Sequence, residues 1–194
     1  MTWSFDIDTD AGLLECHPLT PERFRDLETV FGERGVARRC FCMHWRRPDG
    51  GYQDEITDNR DRYFEVVAGG PPPGLIGYVG GEPLGWVQVG PREDFPTIRR
   101  SRLLKPVDEQ AVWSINCFVV RAGHRSQGIG KGMLAAALKY ARGQGATVAE
   151  AYPVDGERAS VVDYFTGTLG MFAEQGFVEV IRRNDTRPVV RLTF

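Results

Sequence analysis

The sequence has few of the features that mark secreted or membrane-spanning proteins. Its 194 residues include only four cysteines at irregular spacing, too few for a disulfide framework, so we expect reduced thiols. Its apolar runs are far shorter than the roughly 20 residues of a membrane span. The acidic beginning MTWSFDIDTD contains no apolar signal core. These absences predict a cytoplasmic protein with no membrane partner.

The chain also lacks a charge excess of either sign. It has 24 Lys and Arg against 26 Asp and Glu, a formal net charge of -2. A protein whose main partner is a nucleic acid backbone carries a basic surplus, because phosphate neutralisation supplies most of its affinity. We therefore expect no nucleic acid partner.

The length and the order of hydrophobic patterns predict one α/β domain over residues 1–194, with its core from about residue 12. Alternating or continuous apolar runs predict strands, and apolar residues at three- and four-residue spacing predict helices. The predicted order is β-α-α-β-β-β-α-β-α-β-β, which indicates a mixed sheet. Predicted strands cover residues 13–17, 75–79, 84–89, 111–120, 147–152, 177–181 and 189–194; predicted helices begin at residues 20, 58, 132 and 169.

A glycine-rich turn at residues 123–132 joins the most strand-like segment to an amphipathic helix. Unpaired N–H groups at a helix start, together with glycines that admit a close approach, favour phosphate binding. A Walker loop does not fit, because Arg125 and Gly132 occupy the positions that need glycine and Ser or Thr. A dinucleotide fingerprint would need glycine at Met133, although Glu150 lies where its ribose-binding acid belongs.

The spacing that does fit is Arg125-x-x-Gly128-x-Gly130. It resembles the acyl-CoA-binding signature of the GCN5-related N-acetyltransferase (GNAT) family, and the predicted element order also resembles that family's. The segment MFAEQGF at residues 171–177 is similar to the family's late Y-x-x-x-G-F segment. The resemblance covers residues 12–194. It implies a GNAT-like fold with a mostly antiparallel sheet of about seven strands and helices on both faces.

The resemblance implies acetyl-CoA as co-substrate and no metal. The pyrophosphate would lie on the amides of the turn, the pantetheine would run beside the preceding strand, and amides near Phe118 would polarise the thioester carbonyl. The residues it assigns to acetyl-CoA binding are Phe118, Val119, Val120, Arg125, Ser126, Gln127, Gly128, Ile129, Gly130 and Lys131.

The general acid is where the sequence departs from the family. Phe172 occupies the position of the usual acid tyrosine, and Phe165 that of a frequent asparagine. Phenylalanine cannot donate a proton to the leaving thiolate. Tyr164 is the candidate that we select, with Tyr152 as the other nearby hydroxyl.

The general base is equally open. Glu150 is the candidate we select, with Glu93 and Asp94 as alternatives that act directly or through water. For each of them a solvated surface carboxylate is the competing interpretation.

The segment around Cys40, Cys42 and His44 admits two interpretations. If it is extended, the three side chains fall on one side and could begin a zinc site, but a fourth ligand is missing. We favour buried packing here, with the acceptor pocket lined by Trp45, Arg46 and Trp86. Cys117 is expected to be a small core residue, and the basic loop at residues 92–105 a solvated face.

The sequence thus predicts a GNAT-like N-acetyltransferase that transfers an acetyl group from acetyl-CoA to an amine, with a small molecule favoured over a protein as acceptor. The alternative is a non-catalytic acyl-CoA-binding or sensing module, motivated by Phe172 and the unlocated base. Dimers are common among proteins that resemble this one, so a homodimer remains open.

Overall fold

The computed structural model describes residues 3–47, 56–156 and 163–194. Its strands are β1 (Phe5–Thr9), β2 (Gly12–Pro18), β3 (Gly74–Val79), β4 (Glu82–Pro91), β5 (Trp113–Val120), β6 (Val148–Ala151), β7 (Val178–Arg182) and β8 (Pro188–Thr193). Its helices are α1 (Phe24–Phe31), α2 (Val36–Cys40), α3 (Met43–Arg46), α4 (Ile56–Gly69), α5 (Pro96–Arg100), α6 (Ile129–Gly143) and α7 (Leu169–Ala173). No helix in these described ranges is long and apolar enough to cross a membrane.

The strands form one mixed sheet in the order β1-β2-β3-β4-β5-β6-β8-β7. Every neighbouring pair is antiparallel except β5 and β6, which are parallel. The predicted mixed α/β fold with a mostly antiparallel sheet is therefore confirmed. The sheet has eight strands because β1 pairs with β2, before the residue 12 at which we expected the core to begin. The sequence did not predict β1 because the strand contains two aspartates, and aspartate is depleted in strands.

Helix α6 covers one face of the sheet. Its apolar side chains recur at helical spacing and are buried against the strands. The close approach depends on glycines in the facing strands: a Cβ at Gly85 would lie 2.9 Å from Sδ of Met133, and one at Gly77 would overlap the same sulfur atom. The predicted helix after the glycine-rich turn is thus held directly on β2, β3 and β4.

Helices α1 to α4 cover the other face with an aromatic cluster. Phe31 and Tyr63 both contact the ring of Trp86 edge-on, with centroids 6.4 and 6.2 Å apart. Trp86 projects from the middle of β4 and is fully buried. The short helices α2 and α3 pack against this cluster.

The sheet opens at its centre, where β5 and β6 part. Three residue pairs join these parallel strands, from Trp113 with Ala149 to Ile115 with Ala151. Beyond Ile115, residues 117–120 pair with β4, and no second strand pairs with residues 116–120 in the part of the chain that the structure describes. A bulge at Asn116 coincides with this point, and bulges bend the strand that carries them. The result is an unpaired backbone edge in the middle of the molecule.

Replacing Gly74, the first residue of β3, by alanine tests this close packing. The new Cβ would overlap the carbonyl oxygen of Val87 and lie 2.6 Å from Cη2 of Trp86. Because backbone atoms yield little, we expect urea denaturation to show a loss of about 3 kcal/mol in unfolding free energy. The matched variant Gly69→Ala has open space around its new Cβ and should change stability by less than about 0.5 kcal/mol. Equal losses in both variants would contradict the packing argument.

Candidate active site

A cleft of about 680 Å³ lies between the open half of β5, the start of α6 and the chain at residues 165–171. We refer to it as the cofactor cleft. Nine of the ten predicted cofactor-binding residues line it: Phe118, Val119, Val120, Arg125, Ser126, Gly128, Ile129, Gly130 and Lys131. The tenth, Gln127, is not among its lining residues, and its carbonyl oxygen accepts a hydrogen bond from the amide of Ala11 at 3.2 Å.

The turn at the base of α6 presents its backbone to this cleft. Ser126 and Gly128 have φ angles of 60° and 77°, a left-handed conformation that favours glycine. No side chain caps α6, so the first amides of the helix are left without a capping partner. A Cβ at Gly128 would lie 3.3 Å from the amide nitrogen of Asp10, so the β1–β2 turn supports this loop from behind. Such amides at a helix start bind anions.

The charges around the turn are of both signs. Arg125 is exposed, whereas Lys131 forms an ion pair with Glu174 at 2.7 Å. Asp10 also lines the cofactor cleft. Arg125 is therefore the cationic side chain of this turn that has no ion pair among the described residues. The backbone amides supply the rest of the anion site.

A second cavity, of about 450 Å³, lies on the opposite side of β5. We name it the thiol pocket, because Cys40, Cys42 and Cys117 all line it. Val119 and Phe165 line both cavities, so the two spaces meet at the open edge of β5. A ligand that extends along the cofactor cleft would end against a second ligand in the thiol pocket.

The segment that forms this pocket is helical rather than extended, which corrects the geometry on which the zinc interpretation depended. Helix α2 ends at Cys40, Phe41 and Cys42 adopt φ angles of 43° and 56°, and α3 begins at Met43. Cys40, Cys42 and His44 nevertheless all line the thiol pocket. Among the described residues, no group of three or more His, Cys, Asp or Glu side chains is arranged to hold a metal.

Two of the thiols contact each other. A hydrogen bond of 3.5 Å joins the thiols of Cys42 and Cys117, and Sγ of Cys42 accepts a hydrogen bond from Nε1 of Trp86 at 3.2 Å. The bond from Cys42 and burial together raise the pKa of Cys117 well above its usual range. Burial also raises the pKa of Cys40 to about 12. Both groups are therefore neutral thiols at pH 7.

The three predicted acceptor residues occupy different places. Trp45 lines the thiol pocket. Arg46 instead turns inward, with its guanidinium 4.8 Å above the ring of Phe95 and Nε 3.4 Å from Oε1 of Gln88. Trp86 lies in the core next to the pocket and reaches it only through its hydrogen bond to Cys42.

For His44 the sequence offered a zinc ligand or, as the favoured interpretation, a buried packing residue, but its position suggests a different role. Its imidazole lines the thiol pocket 4.7 Å from the ring of Trp45, and its buried Nδ1 has no hydrogen-bond partner among the described residues. Burial lowers the pKa of His44, so the ring is neutral at pH 7. Only the fold reveals this, because nothing in the local sequence indicates which cavity the ring faces.

Glu150 is not the solvated carboxylate that we expected. It is fully buried at the centre of β6, where Tyr152 donates to Oε1 at 2.6 Å and Arg191 donates to Oε2 at 2.8 Å. Arg92, expected on a solvated face, is also buried and lies 3.6 Å from Oε1. Burial, followed by the charge of Glu150, raises the pKa of Tyr152 well above its usual range. Glu150 lines neither cavity.

The positions that depart from the family's pattern also differ in their surroundings. Phe172 is fully buried and contacts the rings of Phe118 and Phe177, with centroids 6.0 and 5.0 Å apart. Phe165 is at the boundary between the two cavities. The backbone of Tyr164 belongs to a short 3-10 helix, Asp163–Thr166, and its side chain lies outside the described residues.

Comparison with known proteins extends the resemblance seen in the sequence. A family model described as the acetyltransferase (GNAT) family matches residues 38–171, more than half of the chain. No protein of curated function matches the sequence.

Solved structures match over nearly the whole chain. The GNAT domain of S. lividans PAT superposes with a TM-score of 0.61 at 14% identity, covering 99% of this chain and 97% of that one. An N-acetyltransferase from Staphylococcus aureus gives 0.57 at 14% identity, over 93% and 98% of the two chains. The PaiA N-acetyltransferase from Thermoplasma acidophilum, solved with coenzyme A, gives 0.52 at 14% identity, over 93% and 99%. At these identities the similarity establishes the fold.

Glu150→Gln tests whether this carboxylate is structural. The substitution removes the carboxylate that pairs with buried Arg92 and leaves Arg191 paired with Asp108 alone, so we expect the free energy of unfolding in urea to fall by about 3 kcal/mol. The control Glu179→Gln removes an exposed partner of Arg182 and should leave stability unchanged. A Glu150→Gln protein of normal stability would contradict the structural assignment.

Proposed function

The chain belongs to the acetyltransferase (GNAT) family, and we propose on this premise that it transfers the acetyl group of acetyl-CoA to the amine of a small molecule. One observation carries the proposal: the cofactor cleft and the thiol pocket lie on opposite sides of β5 and share Val119 and Phe165. Acyl transfer between two bound molecules needs such a meeting point, because the reacting atoms must be held in near-contact.

The residues of the cofactor cleft suit acetyl-CoA. The uncapped amides at the start of α6 would hold the pyrophosphate, with Arg125 adding positive charge. The unpaired edge at residues 116–120 would receive the pantetheine as an added strand. The amides near Phe118 would then donate to the thioester oxygen and stabilise the charge that develops there.

The thiol pocket would hold the acceptor, and His44 would take the proton that its ammonium must lose. The neutral amine nitrogen bonds to the thioester carbon, the carbon–sulfur bond breaks, and the nitrogen loses one further proton as the sulfur of the leaving coenzyme A gains one, so that the products are a neutral amide and a free thiol. Support for His44 is its neutral state and the place of its side chain in the lining of the thiol pocket. Tyr164 remains the proposed proton donor to the thiolate.

Glu150 enters this proposal as a positioning residue. Its carboxylate binds groups from the residue after β6, from β8 and from the segment after β4, beside the point where β5 and β6 part. Its burial outside both cavities argues against direct proton exchange with the acceptor.

We also propose a single domain over residues 1–194 and a cytoplasmic location. The continuous sheet from β1 to β7 supports the single domain.

A non-catalytic acyl-CoA-binding or sensing module is the second candidate, because the usual acid is replaced by the buried Phe172. The two candidates differ in one measurement. Release of free coenzyme A thiol when acetyl-CoA is mixed with a panel of amines supports the enzyme. Tight acetyl-CoA binding with no thiol release from any amine supports the module.

The matched pair Gly128→Asp and Gly128→Asn tests the cofactor site. Both side chains tolerate the left-handed conformation of this residue and have nearly equal size, but only aspartate adds a negative charge where the pyrophosphate would bind. We expect calorimetric titration with acetyl-CoA to give at least tenfold weaker binding for Gly128→Asp than for Gly128→Asn. Thermal denaturation checks that both variants fold. Equal affinities would mean that the turn does not hold the pyrophosphate.

The proposed base makes a pH-dependent prediction. Because burial lowers the pKa of His44, the imidazole stays neutral down to below about pH 6.5, and kcat/KM should fall only as the pH drops below that value. In His44→Gln, kcat should fall about 100-fold and this acid limb should disappear, with KM for acetyl-CoA unchanged. His17→Gln is the control, since His17 lies on β2 and lines neither cavity. A His44→Gln enzyme that retains the acid limb would exclude His44 as the base.

A further inference from the structure

Two thiols that the proposed mechanism leaves unused contact each other in the lining of the thiol pocket. Sγ of Cys42 lies 3.5 Å from Sγ of Cys117, although the two residues are 75 positions apart in the chain. Both residues line the cavity, so a solute as small as water that enters it can reach the wall that they share. A disulfide bond is about 2.05 Å long, so the two sulfur atoms need to approach by only about 1.5 Å to form one.

The backbone at Cys42 is held in a conformation that its side chain disfavours. Phe41 and Cys42 have φ angles of 43° and 56°, in the left-handed region that residues other than glycine rarely adopt. The ring of Phe41 is fully buried against those of Phe24 and Phe31, with centroids 6.1 and 5.3 Å away, and this packing holds the turn. The turn sets the Cys42 thiol against β5. Backbone strain of this kind clusters at functional sites, where it fixes a side chain in place.

Cys42 is the thiol equipped to react first, because Trp86 supports a negative charge on its sulfur. Nε1 of Trp86 donates to Sγ of Cys42 at 3.2 Å, and such a bond becomes stronger when the acceptor is an anion. The hydrogen bond with Cys42 and burial raise the pKa of Cys117 well above its usual range, and burial raises the pKa of Cys40 to about 12. Peroxides react with the thiolate, so these two thiols do not start the reaction at pH 7.

We propose that Cys42 and Cys117 form a reversible disulfide when hydrogen peroxide enters the thiol pocket, and that the bond slows acetyl transfer by drawing the start of α3 towards β5. In the reduced protein all four cysteines are free thiols. The disulfide itself needs neither the cofactor nor the acceptor. Its effect on transfer rests on the proposed function, because α3 and β5 both contribute side chains to the pocket assigned to the acceptor.

The oxidation balances with hydrogen peroxide alone. The Cys42 thiolate attacks one oxygen of the peroxide, the O–O bond breaks, and the departing hydroxide takes the proton that the Cys42 thiol released, which leaves a sulfenic acid and one water. The sulfur of Cys117 then attacks the sulfur of that sulfenic acid, the S–O bond breaks, and hydroxide leaves with the Cys117 proton as a second water. Two electrons thus pass from the thiols to the peroxide. A dithiol such as dithiothreitol reverses the bond by thiol–disulfide exchange.

Peptide mapping tests the bond directly. The native protein is treated with hydrogen peroxide, the remaining thiols are blocked with N-ethylmaleimide, and the chain is digested without reductant for mass spectrometry. We expect one peptide pair joined through Cys42 and Cys117, two hydrogens lighter than the separate peptides, which disappears after dithiothreitol. Cys40→Ser should give the same pair, because Cys40 is not a partner in it. Cys42 and Cys117 that stay unlinked, or a bond from either to Cys40, would overturn the proposal.

The order of the two steps is tested with dimedone, which forms a stable adduct with sulfenic acids. In Cys40→Ser/Cys117→Ser the sulfenic acid of Cys42 has lost both neighbouring thiols, so we expect peroxide and dimedone to label Cys42. In the matched variant Cys40→Ser/Cys42→Ser we expect at least tenfold slower labelling of Cys117. Labelling that is equal, reversed or absent would overturn the assigned order.

Thermal denaturation tests whether the bond fits the native fold. A cross-link between residues 75 positions apart restricts the unfolded chain, so we expect the oxidised protein to melt at least about 5 °C above the reduced one. Cys42→Ser treated with the same peroxide should show no rise. A melting temperature that is unchanged or lowered would mean that the bond distorts the fold, which contradicts the proposal.

The effect on transfer is measured separately. For the amine that is acetylated fastest, we expect kcat/KM, followed by mass spectrometry of the acetylated product, to fall at least fivefold on oxidation and to recover after dithiothreitol. Cys42→Ser, whatever its own rate, should lose no activity with peroxide. An oxidised enzyme of unchanged rate would overturn the effect on the acceptor side. If no amine is acetylated, the proposed function fails, and peptide mapping alone decides on the disulfide.

Discussion

The parting of β5 from β6 after Ile115 is the constraint on which the rest of the site depends. Because only three residue pairs join these parallel strands, residues 116–120 keep their backbone free on one side. That free edge separates two cavities and brings them together at Val119 and Phe165. Helix α6 begins beside the same edge, so its uncapped amides point into the cleft that the parting creates. A fully paired sheet would close both spaces and remove the anion site from reach.

Buried polar groups hold this junction in place. Glu150, next to the last paired residue of β6, binds Tyr152 and Arg191, and the Tyr152 hydroxyl lies 3.0 Å from the hydroxyl of Ser114 on β5. On the other side of β5, Gln88 accepts from Tyr63 and donates to Asn116 at the bulge. Breaking such a network costs far more than a surface contact, because each group left behind is buried without a partner. The same groups cannot serve as freely exchanging acids or bases, which is why the candidate base lies elsewhere.

The surroundings of the thiol pocket suit the chemistry that we propose for the acceptor side. An apolar wall with neutral thiols and a neutral histidine favours an uncharged amine, which is the form that can attack a thioester. The proposed cofactor side is the opposite: there an exposed arginine and helix amides would receive a highly charged ligand. One strand separates these environments, and the sequence alternation along β5 supplies both, since neighbouring side chains point to opposite faces.

The sequence by itself determined the order of β2 to β8 and of helices α1, α4, α6 and α7, the mixed sheet and the turn from Arg125 to Lys131, because these depend on local spacing and on glycines at particular positions. The short helices α2, α3 and α5 were not predicted. Strand β1 escaped prediction because its aspartates resemble a loop. Only the tertiary structure decided the positions and contacts of four side chains: Glu150, Arg46, Trp86 and His44. Whether such a side chain is buried in an ion pair, folded into the core or directed into a cavity depends on neighbours distant in the chain: Arg191 for Glu150, Gln88 for Arg46, Cys42 for Trp86 and the walls of the thiol pocket for His44. Local periodicity carries no information about those partners, since they come together only when the sheet forms.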